Sequence, residues 1–204
     1  MSIILVSLVA FLWFKYMIYT LLLTTKNLNH MKTIEINLYQ FKELSKEAQQ
    51  KAIEKNNDIN VDYEWWNCTY DDALNIGLEI MSFDIYQKEI EVKLTIPLNE
   101  SINKVLDEHS EDCKTYKVAK YFRECLDKIN ERHEEGEKSH VEIDGKEYDF
   151  DEEIENLERR YKTSISSKYL EMLETENDYL RTDEAIIETF EANEYDFTEA
   201  GEIY

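Results

Sequence analysis

Leu78-Glu-Ile-Met-Ser-Phe-Asp-Ile-Tyr86 and Glu89-Ile-Glu-Val-Lys-Leu-Thr-Ile96 decide the fold class of this chain. Both segments alternate apolar and polar residues, the period of a half-buried strand. Only Gln87 and Lys88 separate them, so they predict an antiparallel hairpin with Ile90, Val92, Leu94 and Ile96 on one face. Pro97 ends the second strand because it has no amide proton to donate. Upstream, Thr33-Ile-Glu-Ile-Asn-Leu-Tyr39 alternates in the same way and predicts a third strand. Most of the remainder reads as helix. The 204 residues include four glycines and one proline, too few breakers for a many-turned sandwich or barrel. The class is therefore α+β, a small antiparallel sheet packed with helices.

The helices follow from caps and apolar spacing. Ser45 is a good N-cap for a helix from Lys46 to about Asn56, with Ala48, Ala52 and Ile53 inward. Asp62 predicts the cap of a second helix, Tyr63 to Ile76, which Gly77 ends. On that helix Tyr63, Trp66, Tyr70 and Ala73 share one face, so Trp66 is expected in the core. Trp65, Thr69 and Asp72 lie about 100° round from it, at the boundary. A short helix from Glu100 to His109 turns Ile102, Val105 and Leu106 inward, and one from Thr115 to about Arg132 carries the stripe Val118, Tyr121, Phe122, Cys125, Leu126 and Ile129. The longest helix starts at Asp149 or Asp151 and runs to about Leu180, with Ile154, Leu157, Tyr161, Ile165, Tyr169, Met172 or Leu173, and Leu180 inward. These last two should pair as a long antiparallel helical hairpin in the C-terminal half. Between them, His140 to Tyr148 reads as a small hairpin with a type I′ turn at Asp144-Gly145. Thr182 caps a final helix with Ile186 and Phe190 inward, and Asn193 is expected in the left-handed position after it. A strand, a turn at Ala200-Gly201 and a last short strand close the chain.

Charge constrains the partners. The net charge is −22, with −18 of it over residues 99–204 and −6 over residues 31–98. Such a surface repels phosphates and anionic headgroups, so direct nucleic-acid binding is not expected. It suits solubility, and it suits a partner with a basic surface. Three cysteines with no Cys-x-x-Cys spacing fit a reducing, cytoplasmic compartment.

Residues 1–30 differ from the rest. They carry two lysines and no acid, and residues 2–23 form an apolar run interrupted by Lys15 alone. Two readings stand. The run is long enough to span a bilayer, with Lys26 and Lys32 placing residues 31–204 in the cytoplasm. Alternatively Met31-Lys-Thr-Ile-Glu-Ile is the natural start, and what precedes it is upstream sequence. Residues 31–204 read as a single acidic α+β domain.

Catalytic signatures were sought and not found. There is no Gly-rich phosphate loop and no Gly-x-Ser-x-Gly elbow. His109 and Cys113, with Cys125 or His133, could be assembled into a zinc set, but their spacing matches no zinc module, so no metal and no cofactor is expected. The reading leans away from an enzyme. The candidate partner-binding residues are Trp65, Asp62 and Asp72, an aromatic of the kind enriched at interface hot spots among carboxylates.

A set of segments carries a resemblance. They are Tyr39-x-Phe-x-Glu-Leu-Ser45, Ala48-Gln-x-x-Ala52, Asp58-Ile-Asn-Val-Asp-Tyr-x-Trp-Trp66, Tyr70-x-Asp-Ala73, Ile76-Gly-Leu78 and Phe83-Asp84, and far downstream Thr182-Asp-Glu-Ala-Ile186 and Ala192-Asn-Glu-Tyr-x-Phe-Thr-Glu199. Together they resemble an uncharacterised bacteriophage and prophage family, some members of which are labelled "antitoxin of toxin-antitoxin stability system". The resemblance covers most of residues 31–204 and supplies no catalytic residues. It implies a non-enzymatic phage or mobile-element accessory protein acting by protein–protein contact, most concretely an antitoxin-like protein that masks a basic partner. Two alternatives remain beside it: an anti-defence inhibitor that mimics DNA with its carboxylates, and a membrane-anchored protein.

Overall fold

The computed structural model describes residues 13–19, 35–134, 141–143, 146–148 and 150–204. The chain divides into two compact units, Met1–Leu38 and Tyr39–Tyr204. In the first, residues 13–19 form a helical segment, α1. Among the described residues no helix is long and apolar enough to cross a membrane. Most of the apolar run at residues 2–23, and the start proposed at Met31, lie outside the described residues.

The second unit is α+β. Its elements are β1 (Tyr39–Gln40), a 3-10 turn (Phe41–Glu43), α2 (Lys46–Lys55), α3 (Asn67–Asn75), β2 (Leu78–Asp84), β3 (Glu89–Leu94) and α4 (Leu98–Glu108). There follow α5 (Lys114–Glu134), β4 (Val141–Ile143), β5 (Lys146–Tyr148), α6 (Phe150–Leu180), α7 (Asp183–Ala192) and β6 (Asp196–Phe197). The strands form three separate antiparallel pairs, β1 with β6, β2 with β3 and β4 with β5.

The hairpin β2–β3 forms as its alternation predicts, with one refinement. The register shifts between Ile80 and Ser82, so Met81 is the extra residue of a bulge and is exposed. The shift is what lets Leu78 and Ile80 face inward and Phe83 reappear on that side after two intervening residues. The loop is longer than Gln87-Lys88. It spans residues 85–88, and the Asp84 carboxylate accepts the amides of Tyr86 and Gln87 at 2.8 and 2.9 Å. Those amides hold the Asp84 carboxyl below the usual carboxylate range, Gln87 first. Lys88 takes a left-handed φ of 57° to close the turn.

Among the described residues no third strand joins that sheet. Residues 35–38 carry no strand, and β1 begins only at Tyr39. It pairs with the C-terminal β6, Tyr39 opposite Phe197. The cause is Phe41. Its ring packs against Phe190 and Phe197 at centroid distances of 5.4 and 5.9 Å, and the chain coils into the 3-10 turn to place it there. Glu43 closes that turn by accepting the Gln40 amide at 2.8 Å.

Two cores result. The larger one joins α3, β2, α4, α5 and α6 through Ile76, Leu78, Ile102, Val105, Phe122, Leu157, Ile165 and Tyr169. The smaller one joins the two ends of the unit: Phe41, Leu44, Ala48, Ala52 and Ile53 meet Ile186, Phe190 and Phe197. Ser45 caps α2 by accepting the Ala48 amide at 3.2 Å, and Thr182 caps α7 by accepting the Ala185 amide at 3.2 Å. Asn60 ties the cores together. Its amide nitrogen donates to the Leu180 carbonyl at 3.0 Å, and its carbonyl accepts the Thr189 hydroxyl at 2.6 Å. Gly201, at φ +77°, lies so close to α2 that a Cβ there would stand 2.2 Å from the Ala48 carbonyl oxygen.

Helices α5 and α6 pack antiparallel. Lys114 meets Glu171, Phe122 meets Tyr161 and Arg132 meets Glu153, a ladder that ascends one helix as it descends the other. Two residues of the expected stripes face out, Tyr121 on α5 and Met172 on α6, and Leu173 takes the inward place. Asn193 is not left-handed (φ −98°); Glu194 adopts that conformation instead, at φ 51°. The turn at residues 144–145 lies outside the described residues.

Candidate functional site

The tryptophan pair does not sit on a helix. α3 begins at Asn67, not at Tyr63, and Trp66 occupies its N-cap with no side-chain cap; Asp62 does not cap it. The preceding backbone is a turn, with the Trp65 amide donating to the Tyr63 carbonyl at 2.8 Å. The rings give the reason. Trp65 and Trp66 both pack edge-on against Phe83, at 5.9 and 5.7 Å, and against each other at 5.7 Å. Successive side chains on a helix diverge by 100° and could not both reach one ring. Tyr70, one helical turn on, completes the group at 6.0 Å from Phe83.

Trp66 is therefore half-buried rather than core, and Trp65 is half-buried beside it. Tyr63, Asp62 and Glu64 are exposed on the same turn. The result is an aromatic surface with carboxylates at its edge. Burial of the Tyr70 ring raises its phenol above the ordinary value, as expected of a group half-withdrawn from water.

Asp72 belongs to a different place. It lies on α3 facing an open cleft of about 610 Å³ between α3, α4, α5 and α6. One carboxylate oxygen accepts the Tyr169 hydroxyl at 2.8 Å, and the other lies 3.6 Å from Nε2 of His109. Nδ1 of His109 in turn lies 2.7 Å from Oγ1 of Thr115. Asp72, His109 and Thr115 thus form a line of the kind that orients a nucleophile, with the Thr115 side chain buried. The line ties four helices together at the edge of the cleft, which Thr115 and the exposed thiol of Cys113 also line. So of the three residues picked from the sequence, Trp65 and Asp62 share a surface, and Asp72 has an internal partner elsewhere.

Two tyrosines of the α6 row needed hydroxyl partners once buried, a signal present in the sequence. Tyr161 has Ser101 at 3.0 Å, and Tyr169 has Asp72. Burial pushes the Tyr161 phenol up to about 12, against the lowering effect of Ser101. The Tyr169 phenol is held far above its ordinary value, first by burial and then by the Asp72 carboxylate. In the unfolded chain both ionise near pH 10. Between pH 10 and 12 the native state therefore keeps protons that the unfolded state has lost, and stability falls as pH rises. The expected slope is about 1.4 kcal/mol per pH unit for each tyrosine. Urea unfolding at pH 9, 10 and 11 should show it, and Tyr161→Phe should remove its share of the slope.

The zinc set weighed from the sequence does not assemble. Among the described residues no three His, Cys, Asp or Glu side chains converge to hold a metal ion. His109 is turned to Asp72 and Thr115, Cys113 is exposed and Cys125 is half-buried on α5. Glu171, on the cleft rim, bonds Lys114 at 2.8 Å and Lys168 at 2.5 Å, and these two hold its carboxyl below the usual range.

The fold and the surface define an acidic α+β protein with a half-buried aromatic cluster at its surface. Comparison with protein-family models, with curated proteins and with solved structures found no match.

Proposed function

We propose that this protein acts by contact with a basic protein partner, docked on the aromatic surface of Trp65, Trp66 and Phe83. The carrying observation is the pairing of that half-buried cluster with the exposed acids Asp62 and Glu64, on a chain of net charge −22. Half-buried aromatics lose little conformational freedom when a partner covers them, and they attract Arg and Lys through their ring faces. The negative field draws a cationic partner in and repels nucleic acid. The most concrete form is an antitoxin-like accessory protein of a phage or mobile element, which masks the surface of a basic toxin. The resemblance carried by the Tyr39–Ser45, Asp58–Trp66 and Ala192–Glu199 segments supports it. So does their placement: the first and last of these segments lie together in the smaller core, although about 150 residues separate them in the chain.

The experiment is affinity capture from host lysate on the full chain, at about 0.15 M and 0.5 M salt. A basic protein held at low salt and released at high salt is expected. Expressed alone, that protein should arrest growth, and co-expression of this chain should restore it. Trp65→Ala is expected to weaken the complex about thirtyfold, the effect of a hot-spot residue worth about 2 kcal/mol. Asp62→Lys, which alters only an exposed charge, should slow association and leave the melting temperature unchanged. Capture of no basic protein, or capture indifferent to both substitutions, rejects the reading.

A further inference from the structure

The protein carries a surface whose charge opposes its net charge of −22. A cleft of about 690 Å³ runs between α5 and α6, and no acid lines it. Its rim carries Lys117, Arg159 and Arg160, with Lys114 and Lys168 at one end. Acids outnumber bases 45 to 23 in this chain, so an arginine would ordinarily find a carboxylate. These two do not. Among the described residues Arg159 bonds the neutral Asn156 carboxamide at 3.1 Å, and Arg160 bonds the neutral Tyr121 hydroxyl at 3.4 Å. Lys117 is bonded to the Asp112 backbone carbonyl at 3.1 Å, also a neutral acceptor. Lys114 and Lys168 share one carboxylate, Glu171, which leaves that trio with a net positive charge.

The walls are not uniformly polar. The half-buried Val118 and the buried Phe122 form an apolar floor, and the Tyr121 ring stands half exposed beside Arg160. We propose that this cleft binds a small organic phosphate with a ring or other flat apolar body, the class that nucleotides exemplify. The phosphates lie against Arg159, Arg160 and Lys117, where guanidinium groups make paired charge-assisted hydrogen bonds. The ring covers Val118 and stacks on Tyr121. The volume is that of a small-ligand site.

The total charge selects the size of the ligand. A surface field is screened beyond about 8 Å in physiological salt, so a small anion inside the cleft experiences the local cations. An extended polyanion would lie along the acidic faces beyond it and be repelled. This inference is independent of the aromatic surface on α3 and β2, and either can fail without the other.

Calorimetric titration of the full chain with ATP, with inorganic pyrophosphate and with a 20-nucleotide single strand tests it. ATP is expected to bind most tightly, pyrophosphate at least tenfold more weakly, and the oligonucleotide not at all. The double variant R159A/R160A should weaken ATP at least tenfold while its melting temperature stays unchanged, because both side chains are exposed. Tyr121→Ala should bring ATP down towards pyrophosphate and leave pyrophosphate as it was. No heat from ATP or pyrophosphate up to millimolar concentration, equal binding by the double variant, or tighter binding of the oligonucleotide would overturn the proposal.

Discussion

Phe190→Ala is expected to lower the stability of the protein by about 3–5 kcal/mol, the range for deleting a buried phenyl ring. Phe190 is fully buried and stands at the centre of the smaller core. Its ring lies 5.4 Å from Phe41, 5.1 Å from Phe197 and 6.1 Å from Tyr195, all inclined or edge-on. Those rings come from both ends of the second unit, so the cavity opens where the ends are joined. The contacts that surround this core at the junction are the packing of Leu44, Ala48, Ala52 and Ile53 on Ile186, the close approach of Gly201 to Ala48, and a few polar links. β1 and β6 pair over two residues, and the ion pairs that span it, Lys42 with Glu191 and Lys55 with Glu202, are exposed and worth little. The loss should therefore appear first as local opening of Tyr39–Lys55 and Asp183–Phe197. Hydrogen exchange should show faster exchange in α2 and α7 than in α5 and α6, and the melting temperature should fall by roughly 10 °C. Phe190→Leu keeps most of the volume and should lose about 1–2 kcal/mol. A uniform loss of protection over the whole unit would mean that the two cores unfold as one.

The sequence showed the helices better than the sheet, for a physical reason. Helices are specified locally. Ser45 and Thr182 announce two of them, and the spacing of Ala48, Ala52 and Ile53 or of Leu157, Tyr161 and Ile165 gives the buried face directly. The hairpin β2–β3 was legible because its partner is adjacent. The pairing of β1 with β6 was not, since Tyr39 and Phe197 find each other only through the Phe41, Phe190 and Phe197 cluster. The alternation holds at residues 35–38, but among the described residues no strand lies beside them for it to use, and pairing begins only at Tyr39. The tryptophan turn failed for a related reason: helical spacing at Tyr63, Trp66 and Tyr70 was present, but the attraction of both indoles to Phe83, seventeen residues away from Trp66, overrode it. Asp72 could be picked as an acid near Trp65, but its engagement by Tyr169 depends on a contact across 97 residues. The basic cleft was hidden by averaging. A net charge of −22 conceals five cations that only the antiparallel packing of α5 on α6 gathers in one place.

The same packing sets up the second large effect. Arg132 on α5 bonds Glu153 on α6 at 2.9 Å, and the Glu153 side chain is only 3% exposed while that of Arg132 is 37% exposed. The second oxygen of Glu153 is buried and has no hydrogen-bond partner among the described residues. The two members of the pair are therefore unequal. Arg132→Met leaves a buried carboxylate with no counter-ion, and should destabilise the protein by about 3–5 kcal/mol. Glu153→Leu leaves a guanidinium that can turn to water, and removes a polar atom that has no partner among the described residues. Its loss should stay below about 1 kcal/mol, because the apolar burial gained offsets it. The double variant should come within about 1 kcal/mol of the native protein or exceed it, because no buried charge remains to be compensated. Urea unfolding of all four proteins gives the coupling, expected at about 3–5 kcal/mol in magnitude. If the pair instead holds the register of the two helices, the double variant would be stable yet loosened at their far end, where His133 stacks on Phe150 at 4.1 Å. Exchange rates in Arg132–Glu134 and Phe150–Glu153 separate the two roles, since a purely electrostatic pair leaves them slow when both charges are removed.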